Sequence, residues 1–421
     1  MLVSVACVAP LLATVALAGS GVATLAQTPL VGGVTDTSAV LVVRTTKPAS
    51  VVVRYGIGAL DSVSSTAMTD SAHDNAVHIA LEGLLPETRY TYAVEVAGAL
   101  DAQQFSFTTF PPLTEERSFT FVAFADQDTP SPAPAWATAA AEQPAFVVQL
   151  GDFTHDSGGN RKKPKLKEWW EKNRKSDSTS PAGADFSRWI AGSFPFVHIW
   201  DDHDYGLNNG DRTFRYRSFA MQAFRDDFPT YPLTAPEQGF WQSFRYAEAE
   251  VFVLDLRSQR DPDKRRDDGT KTMLGAAQKA WLLNALESST ARWKFVVSSS
   301  VWNPHSKQVD SWALFQREQQ EIVSFVRDRG IRGLIVMSGD IHSSGAIDNS
   351  TNSYFPEISV PHTNLDEVNC TGGGVCGSWT EGYTIGRTNG GYAAFYVRPD
   401  SVTIQAKSAT GTIRHSLTVY P

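Results

Sequence analysis

The sequence predicts two domains, an all-β sandwich followed by a larger α/β domain built on two sheets. The chain has 421 residues, above the size at which a single hydrophobic core usually divides. Residues 28–112 contain short β-branched runs separated by turns, whereas residues 113–421 alternate apolar strands with helical patterns and end in strands. The apolar fraction of 42% and the charged fraction of 19% exclude a disordered chain.

Charge and repeat patterns exclude further classes. The 37 basic and 45 acidic residues leave a net charge of −8, whereas non-specific nucleic-acid binding needs a basic footprint. No heptad or solenoid repeat is visible, which excludes coiled coils and repeat arrays. We therefore expect a monomer with no specific nucleic-acid partner.

The first residues are typical of a targeting signal. Residues 1–35 carry no charge, and residues 2–18 are mostly Val, Ala and Leu. Small residues at 16–18 offer one cleavage position and Ala26 a later one, so residues 1–26 are predicted to be a signal peptide. The segment lacks a basic start, so an uncleaved membrane anchor is the alternative. No later run of 18 apolar residues exists, and we expect a periplasmic or extracellular protein without a membrane span in its mature chain.

Two cysteines remain once Cys7 has been removed with the signal. Cys370 and Cys376 flank a short glycine-rich segment. In an oxidising compartment this pair is predicted to form a disulfide, and two free thiols are the alternative.

The first domain is predicted from β-branched runs at 38–44 and 50–54 and from strands at 78–81 and 105–109. One regular spacing follows the third strand, formed by Leu84, Pro86, Thr88, Tyr90 and Tyr92. It resembles the corner signature of fibronectin type III sandwiches, which are immunoglobulin-like, where a buried tyrosine hydrogen-bonds back at the corner. No cluster of metal ligands or nucleophiles occurs here, so we interpret the domain as a packing or spacing module. Pro111 and Pro112 are the predicted linker.

The second domain is predicted from apolar runs that read as buried strands. They lie at 119–124, 146–150, 195–200, 251–256, 293–298 and 333–338. Helical patterns occur at 135–142, 275–286 and 318–329, and strands return at 391–397, 401–407 and 413–420. This order indicates a two-sheet core with flanking helices.

Polar side chains follow four of these strands. They are Asp126, Asp152 with His155, Asp201 to Asp204, and Asp340 with His342. The carboxyl ends of parallel strands meet in one crevice. Because carboxylates packed together repel one another, a bound cation is the usual resolution, and the sequence predicts a metal site there.

This order of residues resembles the calcineurin-like metallophosphoesterases, and within them the alkaline phosphatase D (PhoD-like) family. Segments 200–209, 254–260, 274–282 and 338–342 carry the hallmarks of that family. The likeness covers residues 30–420, including a β-sandwich ahead of the α/β domain.

The resemblance implies two or more metal ions. The implied ligands are Asp126, Asp152, His155, Asp202, Asp340 and His342. Asp152 would bridge two ions, with Asp126 and His342 on one, within reach of His155. Asp202 and Asp340 would bind the other. Ala125 and His155 stand where the family usually has ligand cysteine and tyrosine, so Fe, Mn, Zn and Ca all remain open.

The resemblance also implies catalytic roles. His203 would face the leaving-group oxygen or the phosphoryl group, Arg257 would lie near the phosphate, and Asn209 would bind a metal or orient a ligand. We expect an exported phosphohydrolase that uses a metal-bridging hydroxide on phosphate esters. Monoesterase and diesterase both stay open. The alternative is a non-catalytic extracellular binding or adhesion protein that keeps the fold.

Overall fold

The computed structural model describes residues 21–113, 116–128, 134–156, 162–174, 185–365, 377–382 and 390–421. Most of the predicted signal peptide, and both Cys370 and Cys376, lie outside these residues. Within the described ranges, no helix has the length and apolar character needed to cross a bilayer.

The N-terminal region, as predicted, is rich in β-strands. Its strands are β1 (Leu30–Gly32), β2 (Ser38–Arg44), β3 (Ser50–Gly56), β4 (Ser62–Val63), β5 (Ala67–Met68), β6 (Ala76–Glu82), β7 (Arg89–Val96), β8 (Ala99–Leu100) and β9 (Phe105–Thr108). One sheet has the order β1-β2-β6, and the other has β4-β3-β7-β8 with β5 on β3 and β9 on β7. Every pairing is antiparallel, consistent with a small sandwich.

A buried tyrosine closes the corner before β7. The ring of Tyr90 is 6% exposed, and its Oη accepts a hydrogen bond from the Leu85 N–H at 2.8 Å. This contact has the form that the spacing of residues 84–92 predicts. Kinship with fibronectin type III domains itself stays a prediction.

In the described part of the C-terminal region, the chain forms thirteen strands. They are β10 (Phe119–Phe124), β11 (Val147–Gln149), β12 (Phe196–His198), β13 (Gln242–Tyr246), β14 (Ala249–Val253), β15 (Trp293–Ser298), β16 (Leu334–Ser338), β17 (Ala346–Asn349), β18 (Pro356–Ser359), β19 (Glu381–Gly382), β20 (Gly391–Val397), β21 (Val402–Ser408) and β22 (Ile413–Val419). The α-helices of the described residues are α1 (Ala135–Ala141), α2 (Leu166–Lys172), α3 (Asp202–Tyr205), α4 (Arg217–Asp227), α5 (Gly275–Ser288) and α6 (Gln316–Asp328).

These strands form two mixed sheets. The first has the order β12-β11-β10-β20-β21-β22, with β10, β11 and β12 parallel. The second has the order β13-β14-β15-β16-β18-β17-β19, with β14, β15, β16 and β18 parallel. Parallel strands buried on both faces read as continuous apolar runs, which is why the sequence reveals them.

Phenylalanine rings join the two sheets. Phe121 of β10 stacks on Phe395 of β20 with ring centroids 4.4 Å apart and meets Phe295 of β15 edge-on at 4.9 Å. All three side chains are fully buried. The hydrophobic core of this region therefore lies between the two sheets.

The N-terminal sandwich packs directly on the C-terminal region. The Tyr231 hydroxyl donates to the Val34 carbonyl at 2.9 Å, and the Tyr92 hydroxyl donates to the Gly192 carbonyl at 3.1 Å. Phe110 meets Tyr246 edge-on at 4.8 Å. Buried residues of both regions belong to one continuous hydrophobic core.

Candidate metal centre

The cluster lies on tight turns at the carboxyl ends of strands. Asp126 after β10, Asp152 after β11, and Asp340 and His342 after β16 all have left-handed backbones, with φ between 51° and 69°. Such φ values are uncommon outside glycine and tend to mark functional sites. Each turn brings a polar side chain to the shared edge of the two sheets.

Three overlapping groups of candidate ligands result. They are Asp152–His155–His342, Asp152–Asp202–His203 and Asp201–Asp202–Asp340, with the ligand atoms of each group within 4.8 Å of one another. Asp152 belongs to two of the groups, and so does Asp202. Shared carboxylates are what a site for more than one cation requires.

Asp126 adjoins these groups. Both of its carboxylate oxygens lie 3.2 Å from the Asp340 backbone nitrogen, and its Oδ1 lies 3.9 Å from His342 Nε2. The ring of His155 lies 3.9 Å from that of His203 and 4.8 Å from that of His342. The structure thus brings the six sequence-predicted ligands into one cluster.

Several polar atoms of the cluster are buried and have no hydrogen-bond partner among the described residues. They are Oδ2 of Asp152, Asp201 and Asp340, and Nδ1 of His155 and His203. Burying such atoms unpaired is costly. Oxygen and imidazole donors with free lone pairs fit Mn, Zn, Fe or Ca ions.

The buried carboxylates of the cluster repel one another. Burial raises the pKa of Asp152, and the carboxylates of Asp202 and Asp201 raise it further. Burial followed by repulsion from Asp201 raises the pKa of Asp126 to about 8. A cation would remove this repulsion.

The histidines are held in the form that binds metals. Burial, with the charge of His203, lowers the pKa of His155 to about 3. Burial and His155 lower the pKa of His342. A neutral imidazole offers the lone pair that a metal needs.

His203 lies at the mouth of the cluster. Its backbone N–H donates to Asp202 Oδ1 at 2.8 Å and to Asp152 Oδ1 at 3.2 Å, and its side chain is 10% exposed. Asn209 contacts Asp202 through its main chain. Its side chain is exposed, and its backbone N–H donates to Asp202 Oδ2 at 2.6 Å. In this structure, Asn209 therefore orients Asp202 through the main chain.

Arg257 lies behind the cluster, away from solvent. Its guanidinium is fully buried and donates to Asp201 at 2.5 Å, to Asp310 at 2.7 and 2.9 Å, and to Ser300 at 3.3 Å. These contacts correct the expectation that Arg257 reaches a substrate phosphate. Its place is that of a counter-charge for the buried carboxylates.

Three residues of the site are absent from the ligand set that the resemblance implies. Asp201 joins one ligand group, Asp310 holds Arg257, and the Lys307 ammonium donates to Asp340. Asp201 neighbours Asp202, and adjacency alone does not tell which carboxylate turns inward. Asp310 and Lys307 lie in a loop without periodicity, so no pattern marks them.

Three lysines in the described segment 162–172, which follows the Asp152 turn, pair with carboxylates. Lys165 pairs with Glu168 at 2.8 Å, Lys167 with Asp226 at 2.7 Å, and Lys172 with Asp156 at 2.9 Å.

Comparison with sequence families gives two matches. A model of the PhoD-like phosphatase family matches residues 121–366, which is more than half of the chain. A domain of unknown function, DUF7800, matches residues 22–113. Alkaline phosphatase D of Bacillus subtilis (strain 168) is 26% identical over 330 residues, covering 67% of this chain and 55% of that protein. The alignment thus spans about half the length of this relative.

Solved structures with the same fold include a structure of PhoD. It has a TM-score of 0.74 at 19% identity, covering 93% of this chain and 88% of that one. The purple acid phosphatase PPD1 from yellow lupin (Lupinus luteus) seeds has a TM-score of 0.62 at 14% identity, covering 93% and 74%. At such identities the likeness concerns the fold.

Proposed function

The chain belongs to the PhoD-like phosphatase family, and on this premise we propose that it is a metal-dependent phosphohydrolase acting on phosphate esters. The observation that carries the proposal is the set of three ligand groups joined by Asp152 and Asp202. Their unpartnered buried oxygens and nitrogens make the cluster fit for cations. A non-catalytic protein would have no need to keep so many buried ligands.

The residues that would hold the ions follow from the groups. We assign Asp152 as the bridging carboxylate, with His155, His342 and Asp126 on one side. Asp202, Asp340 and Asp201 would serve the other side. Two ions there would supply the Lewis acidity that neutralises the anionic ester oxygens and activates the attacking water.

The chain's own residues would do the remaining work. His203 is fixed by its backbone N–H to both shared carboxylates, and its ring reaches the cluster mouth. From this position, His203 can donate a proton to the alkoxide oxygen of the leaving group. Arg257 keeps Asp201 in place from behind.

The test compares p-nitrophenyl phosphate with bis-p-nitrophenyl phosphate at pH 7–10, using chelator-free protein supplied with Mn, Zn, Fe or Ca. We expect turnover of at least one ester, and the ratio of the two rates distinguishes monoesterase from diesterase. The His203→Gln variant should lose about 100-fold or more in kcat. No turnover of either ester with any metal would contradict the proposal and favour the binding-protein alternative.

Export is part of the proposal. Of the two cleavage positions that the sequence offers, we propose the earlier one. The Ala26 N–H donates to the Arg44 carbonyl, and the Thr46 N–H donates to the Thr24 carbonyl, both at 2.9 Å, so residues 24–26 pack on the sandwich. N-terminal sequencing of the exported protein should give Gly19 as the first residue. An intact N-terminus in the membrane fraction would instead indicate an anchor.

A further inference from the structure

Among the described residues, the cationic side chains that pair with carboxylates in and behind the cluster are Arg257, Arg260 and Lys307. The two arginines have no exposed surface, and both bind Asp310. A substrate phosphate carries at least one negative charge and needs a cationic or metal partner that it can reach. Neither arginine can be that partner. An arginine that turned towards solvent would leave Asp310 buried without its counter-charge.

Lys307 differs from the arginines in position. Its side chain is 13% exposed, and its ammonium donates to Oδ1 of Asp340 at 2.5 Å and to the Asp340 carbonyl at 3.1 Å. An ammonium has three donors on a flexible four-carbon stem. Both of these hydrogen bonds go to Asp340. The ammonium can therefore turn to a new partner by giving up contacts with that one residue.

The charge of Lys307 acts on both halves of the cluster. It partly offsets the burial that raises the pKa of Asp126, and it adds to the burial that lowers the pKa of His342. Its contact Asp340 belongs to a ligand group. The ammonium therefore lies where a cation and an incoming anion would both be close to it.

A metal ion and the Lys307 ammonium would compete for the Asp340 carboxylate. Asp340 Oδ1 accepts from Lys307, whereas Asp340 Oδ2 has no hydrogen-bond partner among the described residues. An ion bound at Asp340 would neutralise the carboxylate and repel the ammonium. The ammonium would then be available to bind another anion.

We propose that Lys307 binds the phosphoryl oxygens of the ester and gives up Asp340 to the metal centre as it does so. The inference rests on the proposed function, because it assigns a substrate contact within that same site. It gives the chain a phosphate-binding cation that the sequence motifs had placed at Arg257.

The test uses Lys307→Met, which keeps the stem and removes the charge, and Lys307→Arg, which keeps the charge. Calorimetry measures binding of Mn²⁺ to the metal-free protein and of inorganic phosphate to the Mn²⁺-loaded protein. We expect Lys307→Met to bind phosphate about tenfold or more weakly and Mn²⁺ more tightly. Lys307→Arg should return phosphate affinity to within about threefold of wild type.

A matched control is Lys279→Met, which removes a lysine that pairs with Glu321 on the surface, away from the cluster. Both affinities should stay at the wild-type values. If Lys307 only orients Asp340, Lys307→Met would bind Mn²⁺ more weakly and phosphate normally, which overturns the inference. Turnover of p-nitrophenyl phosphate by the wild-type protein distinguishes failure of this inference from failure of the proposed function. Turnover with unchanged phosphate affinity in Lys307→Met overturns this inference alone, whereas absent turnover overturns the proposed function and this inference together.

Discussion

At the scale of single residues, the carboxylates of the cluster depend on a counter-charge that is buried away from solvent. Arg257 holds Asp201 and Asp310 in a region with no solvent. Burial alone would lower the pKa of Arg257, but these two carboxylates raise it well above its ordinary value. A buried pair adds little net stability, yet removing one partner leaves an uncompensated charge.

We predict that Arg257→Met destabilises the fold by about 3–5 kcal/mol, because Asp201 and Asp310 lose their counter-charge. Urea unfolding measures this loss. Arg329→Met is the control, since Arg329 pairs with Glu287 on the surface and both side chains are at least 42% exposed. That variant should change stability by less than about 1 kcal/mol. Equal effects in the two variants would contradict a buried counter-charge.

A second residue-scale prediction concerns His198 in β12. Burial among aromatic rings lowers the pKa of His198 to about 3. The unfolded chain binds a proton near pH 6.5 and the folded chain does not, so His198 makes stability fall as the pH drops from about 6.5 towards 3. His198→Phe removes this contribution. The loss of stability between pH 7 and pH 4 should be smaller than in wild type by a few kcal/mol. Equal slopes would show that His198 does not titrate in this way.

At this scale, the sequence predicts that side chains converge where they directly follow a buried strand. Asp152 and Asp340 follow buried strands, so their convergence was predictable from spacing. The position of Arg257 was not, because a motif marks a residue without saying which partner its side chain meets. Lys307 left no signal at all, since it lies in an irregular loop.

At the scale of elements, the turn between β11 and Asp152 depends on a glycine. Gly151 has φ of 108°, and a Cβ there would lie 2.5 Å from Asp201 Cβ and 2.8 Å from the Asp201 backbone nitrogen. The two loops that carry Asp152 and Asp202 therefore touch through Gly151. A larger residue must separate them.

We expect Gly151→Ala to weaken Mn²⁺ binding and lower the free energy of unfolding by about 2 kcal/mol or more. Calorimetric titration and thermal unfolding measure the two effects. Gly58→Ala is the matched control, because Gly58 has φ of 81° but no atom within 4 Å of its added Cβ. This control should cost about 1 kcal/mol and leave Mn²⁺ affinity unchanged. Normal Mn²⁺ affinity in Gly151→Ala would show that the loops tolerate separation.

The predicted strands differ in accuracy for a physical reason. β10, β15 and β20 occupy the predicted ranges, because strands buried on both faces are continuous apolar runs. β14 was predicted at 251–256 but spans Ala249–Val253. Leu254 and Leu256 are buried after the chain has left the sheet, so hydrophobicity continues past the strand end. β18 was not predicted, because proline and glutamate at Pro356 and Glu357 are not typical strand residues.

At the scale of the whole molecule, the N-terminal sandwich supports the sheet that carries the site. A Cβ on Gly32 of β1 would collide with the Pro229 ring and lie 2.7 Å from the Phe196 carbonyl of β12. β12 leads directly to Asp201 and Asp202. The sandwich thus contacts the strand that precedes one half of the cluster.

We predict that Gly32→Ala lowers the free energy of unfolding by about 1–3 kcal/mol and separates the unfolding of the two regions. Differential scanning calorimetry detects such a split. Gly83→Ala serves as control, because Gly83 has φ of 68° but no atom within 4 Å of the added Cβ. It should shift one cooperative transition by about 1 kcal/mol. A single unshifted transition in Gly32→Ala would argue against a tight contact between the regions.

The central claim is that two sheets bring their strand ends together to hold more than one metal ion around Asp152. The most direct measurement is the metal content of purified wild type and Asp152→Asn by mass spectrometry, with hydrolysis of p-nitrophenyl esters measured on the same samples. The control is Asp211→Asn, whose aspartate binds Thr213 outside the cluster.

We predict two ions per chain in wild type and in the control. In Asp152→Asn we predict loss of at least one ion and a fall in hydrolysis of at least about 100-fold. An Asp152→Asn protein with full metal content and full activity, or a wild type that binds no metal at all, would contradict the account.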